Sequence, residues 1–378
     1  MNGNEILANP YNDDKVLASC ALFGCMDLHR NLFSGNNVIK AMANMHVRGN
    51  GLGGGFAVYG LYPEYKNHYV FHIMYQRRDI KPEIYPFLVK HFNVAKDEEI
   101  PTNPSKAIHD PPLLWRYFLT PKTEPQFSDE YVVEKVNALN TDFEGVYVFS
   151  SGKDMGVFKG VGYPEDIAKY FCLNEYKGYI WTAHSRFPTN TQGWWGGAHP
   201  FNILDWTVVH NGEISSYGIN RRFLETQGYR CALHTDTEVI AYAIDLLIRK
   251  HKLPLEVACK VFAPPFWSHV DKMSDVEQKW INAIRQTYSS LLLNGPFTII
   301  MAHHGEMIGL TDRIRLRPLT AGIQDNKLYM SSEESSIRLI SPNLEKVWTP
   351  QGGEPIVGRL NQKVTTHSSD IIFAKVKT

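Results

Sequence analysis

The sequence has no excess of charge of either sign: 39 Lys and Arg stand against 39 Asp and Glu in 378 residues. No basic cluster supplies the electrostatic footprint of a phosphate-backbone binder, so nucleic acid is not expected as a partner. The chain also lacks any run near the roughly 18 consecutive apolar residues of a membrane helix. Its start, Met1-Asn2-Gly3-Asn4-Glu5, has neither the basic nor the apolar region of a secretory signal. A soluble, cytoplasmic protein without membrane contact is expected. Cysteine is scarce: Cys20, Cys25, Cys172, Cys231 and Cys259 are odd in number and lack CxxC spacing. That excludes a disulfide framework and a structural zinc site, so no metal is expected. There is no repeat at solenoid periods and no low-complexity tract.

What is present is enough apolar sequence, 43% of residues, for a substantial core. Residues 1–19 are polar, carry Asn9-Pro10 and Asn12-Asp13-Asp14, and show no core-facing period. Patterned sequence begins at Cys20-Ala21-Leu22-Phe23-Gly24, a short apolar run ended by glycine that predicts a strand. Further strands are predicted at Phe56-Tyr59, His68-Tyr75, Gly145-Phe149, Tyr179-Thr182, Trp206-Val209 and Phe297-Ala302. A helix capped by Ser34 and helices over Thr235-Arg249 and Val276-Leu293 lie between them. Antiparallel sheets flanked by amphipathic helices predict an α+β layered domain. The stretch of about 60–178 is a Pro-rich mixture of helix and strand in which no chemistry is legible. Ser150-Ser151-Gly152-Lys153-Asp154 within it reads as a hairpin turn.

Polar residues concentrate between His184 and Asp236: His184-Ser185-Arg186-Phe187-Pro188-Thr189, Ala198-His199-Pro200-Phe201, His210-Asn211-Gly212-Glu213 and His234-Thr235-Asp236-Thr237-Glu238. Each has a bland explanation. Asn211-Gly212 follows an apolar strand, as tight turns do; Thr235 and Asp236 open a helix, as caps do; Arg186 suits a surface ion pair and His199 a satisfied core position.

Taken with Cys20 the set has a sharper meaning. The thiol is mostly unionised at neutral pH and needs a base. Cleavage after Ser19 would free an α-amine, whose pKa of about 7.7–8.0 suits it to take that proton, whereas a peptide nitrogen cannot. Asn211 and the Gly212 N–H would then donate to a tetrahedral oxyanion. Cys25, the rival nucleophile, reads as a buried strand thiol.

These residues resemble the class II glutamine amidotransferases. Cys20-Ala21-Leu22-Phe23-Gly24 resembles the family's N-terminal Cys-Gly-Ile-x-Gly strand, with Ala21 in place of the usual glycine. Arg186 to Thr189 resembles its carboxylate-binding segment, Asn211-Gly212 its oxyanion hole, and Thr235-Asp236-Thr237-Glu238 a helix start whose Asp holds the substrate amino group. Asp312-Arg313, Arg317-Pro318-Leu319 and Ser331-Ser332-Glu333 resemble the run found in glutamate synthase and amidophosphoribosyltransferase. The glycines of Arg48 to Gly55 resemble a free-standing glutaminase of glutamate-synthase type.

The resemblance implies a four-layer αββα N-terminal nucleophile hydrolase fold with an inserted α/β region at about 60–178. It divides the chain into a leader (1–19), a glutaminase domain (20–360) and a tail (361–378). The catalytic residues would be Cys20, Asn211 and Gly212, and the substrate-binding residues Arg186, Thr189, His199 and Asp236. No cofactor is implied. L-glutamine would be hydrolysed through a cysteinyl thioester, and because little chain follows residue 360, ammonia would pass to a separate, flavin-dependent synthase subunit. The glycines of Gly49 to Gly55 and the segment Thr189 to Gly197 offer hinges for a lid. Two alternatives are an amidohydrolase of another small amide on the same fold and an unprocessed, catalytically silent regulatory subunit.

Overall fold

The computed structural model describes residues 19–188 and 193–365. Two antiparallel sheets face each other. The first has seven strands in the order Lys346–Trp348, Thr320–Gln324, Lys327–Ser331, Ala21–Asp27, Ile180–Ser185, Gly54–Tyr59, Met155–Gly160. The second has five: Phe201–Ile203, Trp206–Gly212, Phe297–His303, Glu306–Thr311, Ile356–Arg359. Helices Asn36–Asn44, Pro164–Tyr170 and Glu334–Ile340 cover the outer face of the first sheet, and Tyr217–Thr226 and Asp236–Asp245 that of the second. The layers therefore run αββα, the α+β order that the sequence resemblance implies.

The strand Ala21–Asp27 lies mid-sheet, paired with Ile180–Ser185 on one side and Lys327–Ser331 on the other, and all seven of its residues are buried. A strand covered on both faces needs a nearly continuous apolar run, which is what Ala21-Leu22-Phe23-Gly24-Cys25-Met26 supplies. Gly24 faces the second sheet: a Cβ there would stand 2.9 Å from Met307 Sδ and 3.3 Å from Ile300 Cγ2. The glycine ending the motif thus lets the two sheets approach. Since strand side chains alternate, Cys20 is in register with Gly24 and Met26, toward the cleft between the sheets.

Residues 60–178 contain a further antiparallel sheet, ordered Phe92–Glu99, Leu113–Pro121, Tyr69–Tyr75, Val146–Ser150, with helices Lys81–His91 and Ser128–Asp142 against it. The chain then returns to the main sheet through Met155–Gly160, which pairs with Gly54–Tyr59. Residues 150–154, expected to turn a hairpin, instead cross between sheets: Val146–Ser150 pairs with Tyr69–Tyr75, not with the strand that follows it. Ser34, expected as a helix cap, lies two residues before the helix Asn36–Asn44, whose N-cap is Gly35; its hydroxyl still accepts from Asn36 N at 3.3 Å. Among the described residues no helix is long and apolar enough to cross a membrane.

Candidate active site

Cys20 and Asn211 reach the same place from opposite sheets. Cys20 immediately precedes the strand Ala21–Asp27, and Asn211-Gly212 ends the strand Trp206–Gly212. The Asn-Gly pair is therefore not a tight turn. Asn211 pairs with Thr298 and Gly212 with Phe297, so the ladder continues through both. Gly212 has φ +147°, and a Cβ on it would stand 2.0 Å from the Pro296 carbonyl oxygen, so no other residue fits this backbone.

A pocket of about 310 Å³ opens here, its lining including Cys20, Arg186, His199, His210, Gly212 and Asp236. Cys20 is half-buried. Its Sγ accepts from Phe187 N at 3.3 Å and lies 3.8 Å from the Phe187 carbonyl oxygen. Burial pushes the thiol above its ordinary value, opposed by the Phe187 bond and by the positive charges of Arg186 and Arg317. An un-ionised thiol in this position is not a nucleophile until a base takes its proton. Cys25, by contrast, is buried between its strand neighbours, outside the pocket lining, and burial pushes its thiol well above the ordinary value.

Asn211 is 1% exposed. Its Oδ1 accepts from the Ser19 hydroxyl at 3.4 Å, while its Nδ2 is buried with no hydrogen-bond partner among the described residues. A buried unpaired amide N–H costs on the order of 1–3 kcal/mol, and native proteins rarely retain one without a use for it. Its residue adjoins Gly212, which lines the pocket with Cys20, and this makes it a candidate donor for an acceptor bound there.

Arg186 follows the strand Ile180–Ser185. Its N–H donates to the Gly53 carbonyl at 2.8 Å and its side chain runs against glycine backbone: a Cβ on Gly53 would stand 3.0 Å from Arg186 Cδ, and one on Gly197 3.2 Å from Nη1. Burial lowers the guanidinium's pKa, opposed by the Cys20 and Asp236 charges. Two of the glycines from 49 to 55, the run expected to hinge a lid, are close-packing positions: a Cβ on Gly49 would meet Ser185 Oγ at 2.1 Å, and one on Gly55 the His199 carbonyl at 2.3 Å.

Asp236 is the first residue of the helix Asp236–Asp245, and its neighbour Thr235 is the N-cap, accepting from Glu238 N at 3.2 Å. With the cap supplied by Thr235, the Asp236 carboxylate lines the pocket and does not cap the helix. Its Oδ2 accepts from Ile214 N at 3.2 Å, and its Oδ1 lies 3.5 Å from His210 Nδ1 and 3.3 Å from Thr237 Oγ1. Burial pushes this carboxyl up, but His210 and the hydrogen bonds outweigh it and hold the pKa below the ordinary carboxylate value. The pocket thus presents a cation at Arg186 and an anion at Asp236, with Cys20 and Gly212 in the same lining and Asn211 directly before Gly212 on its strand. That charge pattern matches the two ends of a free α-amino acid.

His199 lines the pocket but spends both ring nitrogens within the protein. Nδ1 lies 3.4 Å from His210 N and Nε2 3.3 Å from Thr237 Oγ1, and the ring stacks on His184 with centroids 4.0 Å apart. Thr189 lies outside the described residues. Sequence reading missed Arg48. Its Nε donates to the Cys20 carbonyl at 3.1 Å, its Nη2 to Ser19 Oγ at 3.0 Å, and its Nη1 pairs with Glu333 at 2.9 Å. The available signal was Glu333 itself, a charged residue in a motif with no assigned partner. Among the described residues no group of three or more His, Cys, Asp or Glu gathers to hold a metal ion.

Residues 122–374 match the family model for class II glutamine amidotransferases, a span that leaves out Cys20 and Arg48. A protein of Archaeoglobus fulgidus, described only as uncharacterized, is 59% identical over 93% of this chain and 94% of its own. An amidophosphoribosyltransferase of Methanocaldococcus jannaschii is 24% identical over 63% of this chain, and a glutamine–fructose-6-phosphate aminotransferase of Vibrio vulnificus 25% identical over 56%. The matched segments make up 49% and 32% of those two longer proteins.

Proposed function

The chain belongs to the class II glutamine amidotransferases, and on that premise we propose that it is a glutaminase which hydrolyses L-glutamine to glutamate and ammonia on Cys20. Removal of the leader, residues 1–19, would give Cys20 a free α-amine. That amine takes the thiol proton, the thiolate attacks the substrate γ-carboxamide, and the oxyanion is met by Asn211 Nδ2 and the Gly212 N–H. Collapse of the tetrahedral species expels ammonia, protonated by the same amine, and leaves a cysteinyl thioester that water hydrolyses to glutamate. Arg186 receives the substrate α-carboxylate and Asp236 the α-ammonium.

The observation that carries this reading is the buried, unpartnered Nδ2 of Asn211, on the residue before Gly212, which lines the pocket with Cys20. An oxyanion supplies the acceptor that this N–H lacks in the free protein. The opposed charges of Arg186 and Asp236 favour a free amino acid over an uncharged small amide. Ammonia released into water at neutral pH is largely protonated and a poor nucleophile, so its use calls for a docked acceptor. The reading assigns that role to a flavin-dependent synthase subunit resembling that of glutamate synthase. The test of the core claim is glutamate release from L-glutamine by the processed protein, alongside Cys20→Ala. Turnover lost in that variant and kept in Cys25→Ala supports the assignment; equal rates in all three overturn it.

A further inference from the structure

One buried charge is not used by this chemistry. Lys159, in the edge strand Met155–Gly160, is 1% exposed. Its Nζ donates to the Gly196 carbonyl at 3.0 Å and lies 4.4 Å from the centroid of the Phe201 ring. Across the ladder its partner is Gly55, where a Cβ would stand 2.6 Å from Lys159 Cβ and 2.3 Å from the His199 carbonyl. The strand pair is thus shaped to receive the main chain of residues 196–199, and the ammonium ties that main chain down.

What lies on the other side of this segment is Arg186. Its guanidinium passes beside Gly197, and Trp194 covers the glycines from the outside, with Cβ positions on Gly196 and Gly197 falling 2.2 and 2.5 Å from its indole. A shift of the 194–197 backbone would therefore tilt or close the slot in which Arg186 is held. An ammonium here costs desolvation that a methionine of similar volume would not. What the charge supplies in return is the bond to Gly196 and a second positive centre behind Arg186.

We propose that Lys159 is a positioning residue for substrate binding, its ammonium fixing the Gly196 main chain and through it the orientation of Arg186 toward the substrate carboxylate. The inference rests on the reading of the pocket as a glutamine site. The groups facing Lys159 are Glu238 from the helix Asp236–Asp245, Arg186 and the His199 ring. Burial pulls the ammonium down to about 7, which Glu238 opposes and Arg186 reinforces. Glu238, pushed up by burial to about 7, gains its charge over the same range and prolongs the protonation of Lys159. His199 is held neutral well below that range.

The test is glutaminase kinetics from pH 6 to 9 on the processed wild type, Lys159→Met and Lys159→Arg. In the wild type KM for glutamine rises as pH passes through neutrality and the ammonium is lost. In Lys159→Met, KM is raised about tenfold, the size of one charge-assisted hydrogen bond, and no longer varies over this range, with kcat little changed. Lys159→Arg keeps a low KM to higher pH. The Cys20 amine titrates in the same window but acts on kcat, so the two effects separate. An unchanged KM in Lys159→Met, or a parallel fall of kcat in both variants, overturns the proposal. Should the wild type release no glutamate, the glutaminase reading itself fails. Amide hydrogen exchange over residues 194–199 then decides the anchoring: exchange faster in Lys159→Met and restored in Lys159→Arg supports it, and unchanged exchange overturns it.

Discussion

The Ser19 hydroxyl donates to Asn211 Oδ1 across 3.4 Å, so the residue just before Cys20 holds the side chain whose other end, Nδ2, is buried without a hydrogen-bond partner among the described residues. Arg48 braces the same junction from the other side, through the Ser19 hydroxyl and the Cys20 carbonyl. Cleavage after Ser19 would free the Asn211 side chain of this contact while Arg48 keeps hold of Cys20.

If Asn211 donates to the oxyanion as proposed, Asn211→Ala is expected to lower kcat by about 10²–10³ with a smaller change in KM, because its Nδ2 would meet charge that exists only in the transition state. Steady-state glutaminase kinetics check this. A wild-type kcat in the variant would return Asn211 to a purely structural strand-end role.

On the proposed reading Arg186→Ala and Asp236→Asn would remove contacts made equally to bound substrate and transition state, so KM is expected to rise strongly and kcat to fall less. Because the Asp236 carboxyl is held below the ordinary carboxylate value, it stays ionised and the substrate ammonium keeps its partner through mildly acidic pH. KM measured from pH 5 to 7 should therefore show no loss assignable to Asp236 protonation, and Asp236→Asn should be weak throughout.

Arg48→Met leaves the Cys20 carbonyl and the Ser19 hydroxyl without their donor. Charge-assisted hydrogen bonds of this kind contribute about 1.5–3 kcal/mol, so a loss of that order in stability, together with slower turnover, is expected from denaturant melts and assays. Glu333→Gln, at a partly exposed ion pair, should cost about 1 kcal/mol or less.

The fold carries an acid sensitivity of its own. His72 and His184 are fully buried, and burial lowers both to about 3. His72 bonds Tyr62 Oη and the Val157 carbonyl, and His184 bonds the His210 carbonyl through Nε2. Between pH 6.5 and about 3 the unfolded chain binds protons at these rings and the folded chain does not, so stability falls as pH falls. The slope is about 1.4 kcal/mol per pH unit for each histidine, in full below about pH 5.5. Thermal melts should show Tm dropping steeply in this range, and a slope no shallower in His184→Gln would contradict the assignment.

Much of the candidate site was legible because its residues sit where strands end and helices begin. Cys20 opens an apolar run, Asn211-Gly212 closes one, and Thr235-Asp236 starts a helix, so local patterning placed each of them. Even there the local reading of Asn211-Gly212 as a turn differs from the structure, since only the pairing with Phe297 and Thr298 carries the strand through the glycine. The residues that stayed hidden act across long separations. Arg48 meets Glu333 285 positions away, and Lys159 reaches Gly196 from a strand that follows a whole extra sheet. The glycines of 49–55 read as hinges, and the close approach of Gly49 to Ser185 and of Gly55 to His199 depends on residues far along the chain. The crossing at residues 150–154 likewise depends on which sheet each neighbouring strand joins, a fact held in distant partners.

An acceptor subunit, if ammonia is handed on, should raise the glutaminase rate when it docks. Co-purification from the native host, followed by assay with and without the recovered protein, tests this. A full rate in isolation with no ammonia-using partner favours a plain amidohydrolase.

The central claim is that Cys20 serves as both thiol and amine, and it is tested most directly by intact-mass measurement on samples whose glutaminase rate is measured in parallel. The account predicts that activity tracks the fraction of chains beginning at Cys20, lighter by residues 1–19, and that chains retaining Ser19 are inactive. Full activity in chains that still carry Ser19 would contradict it.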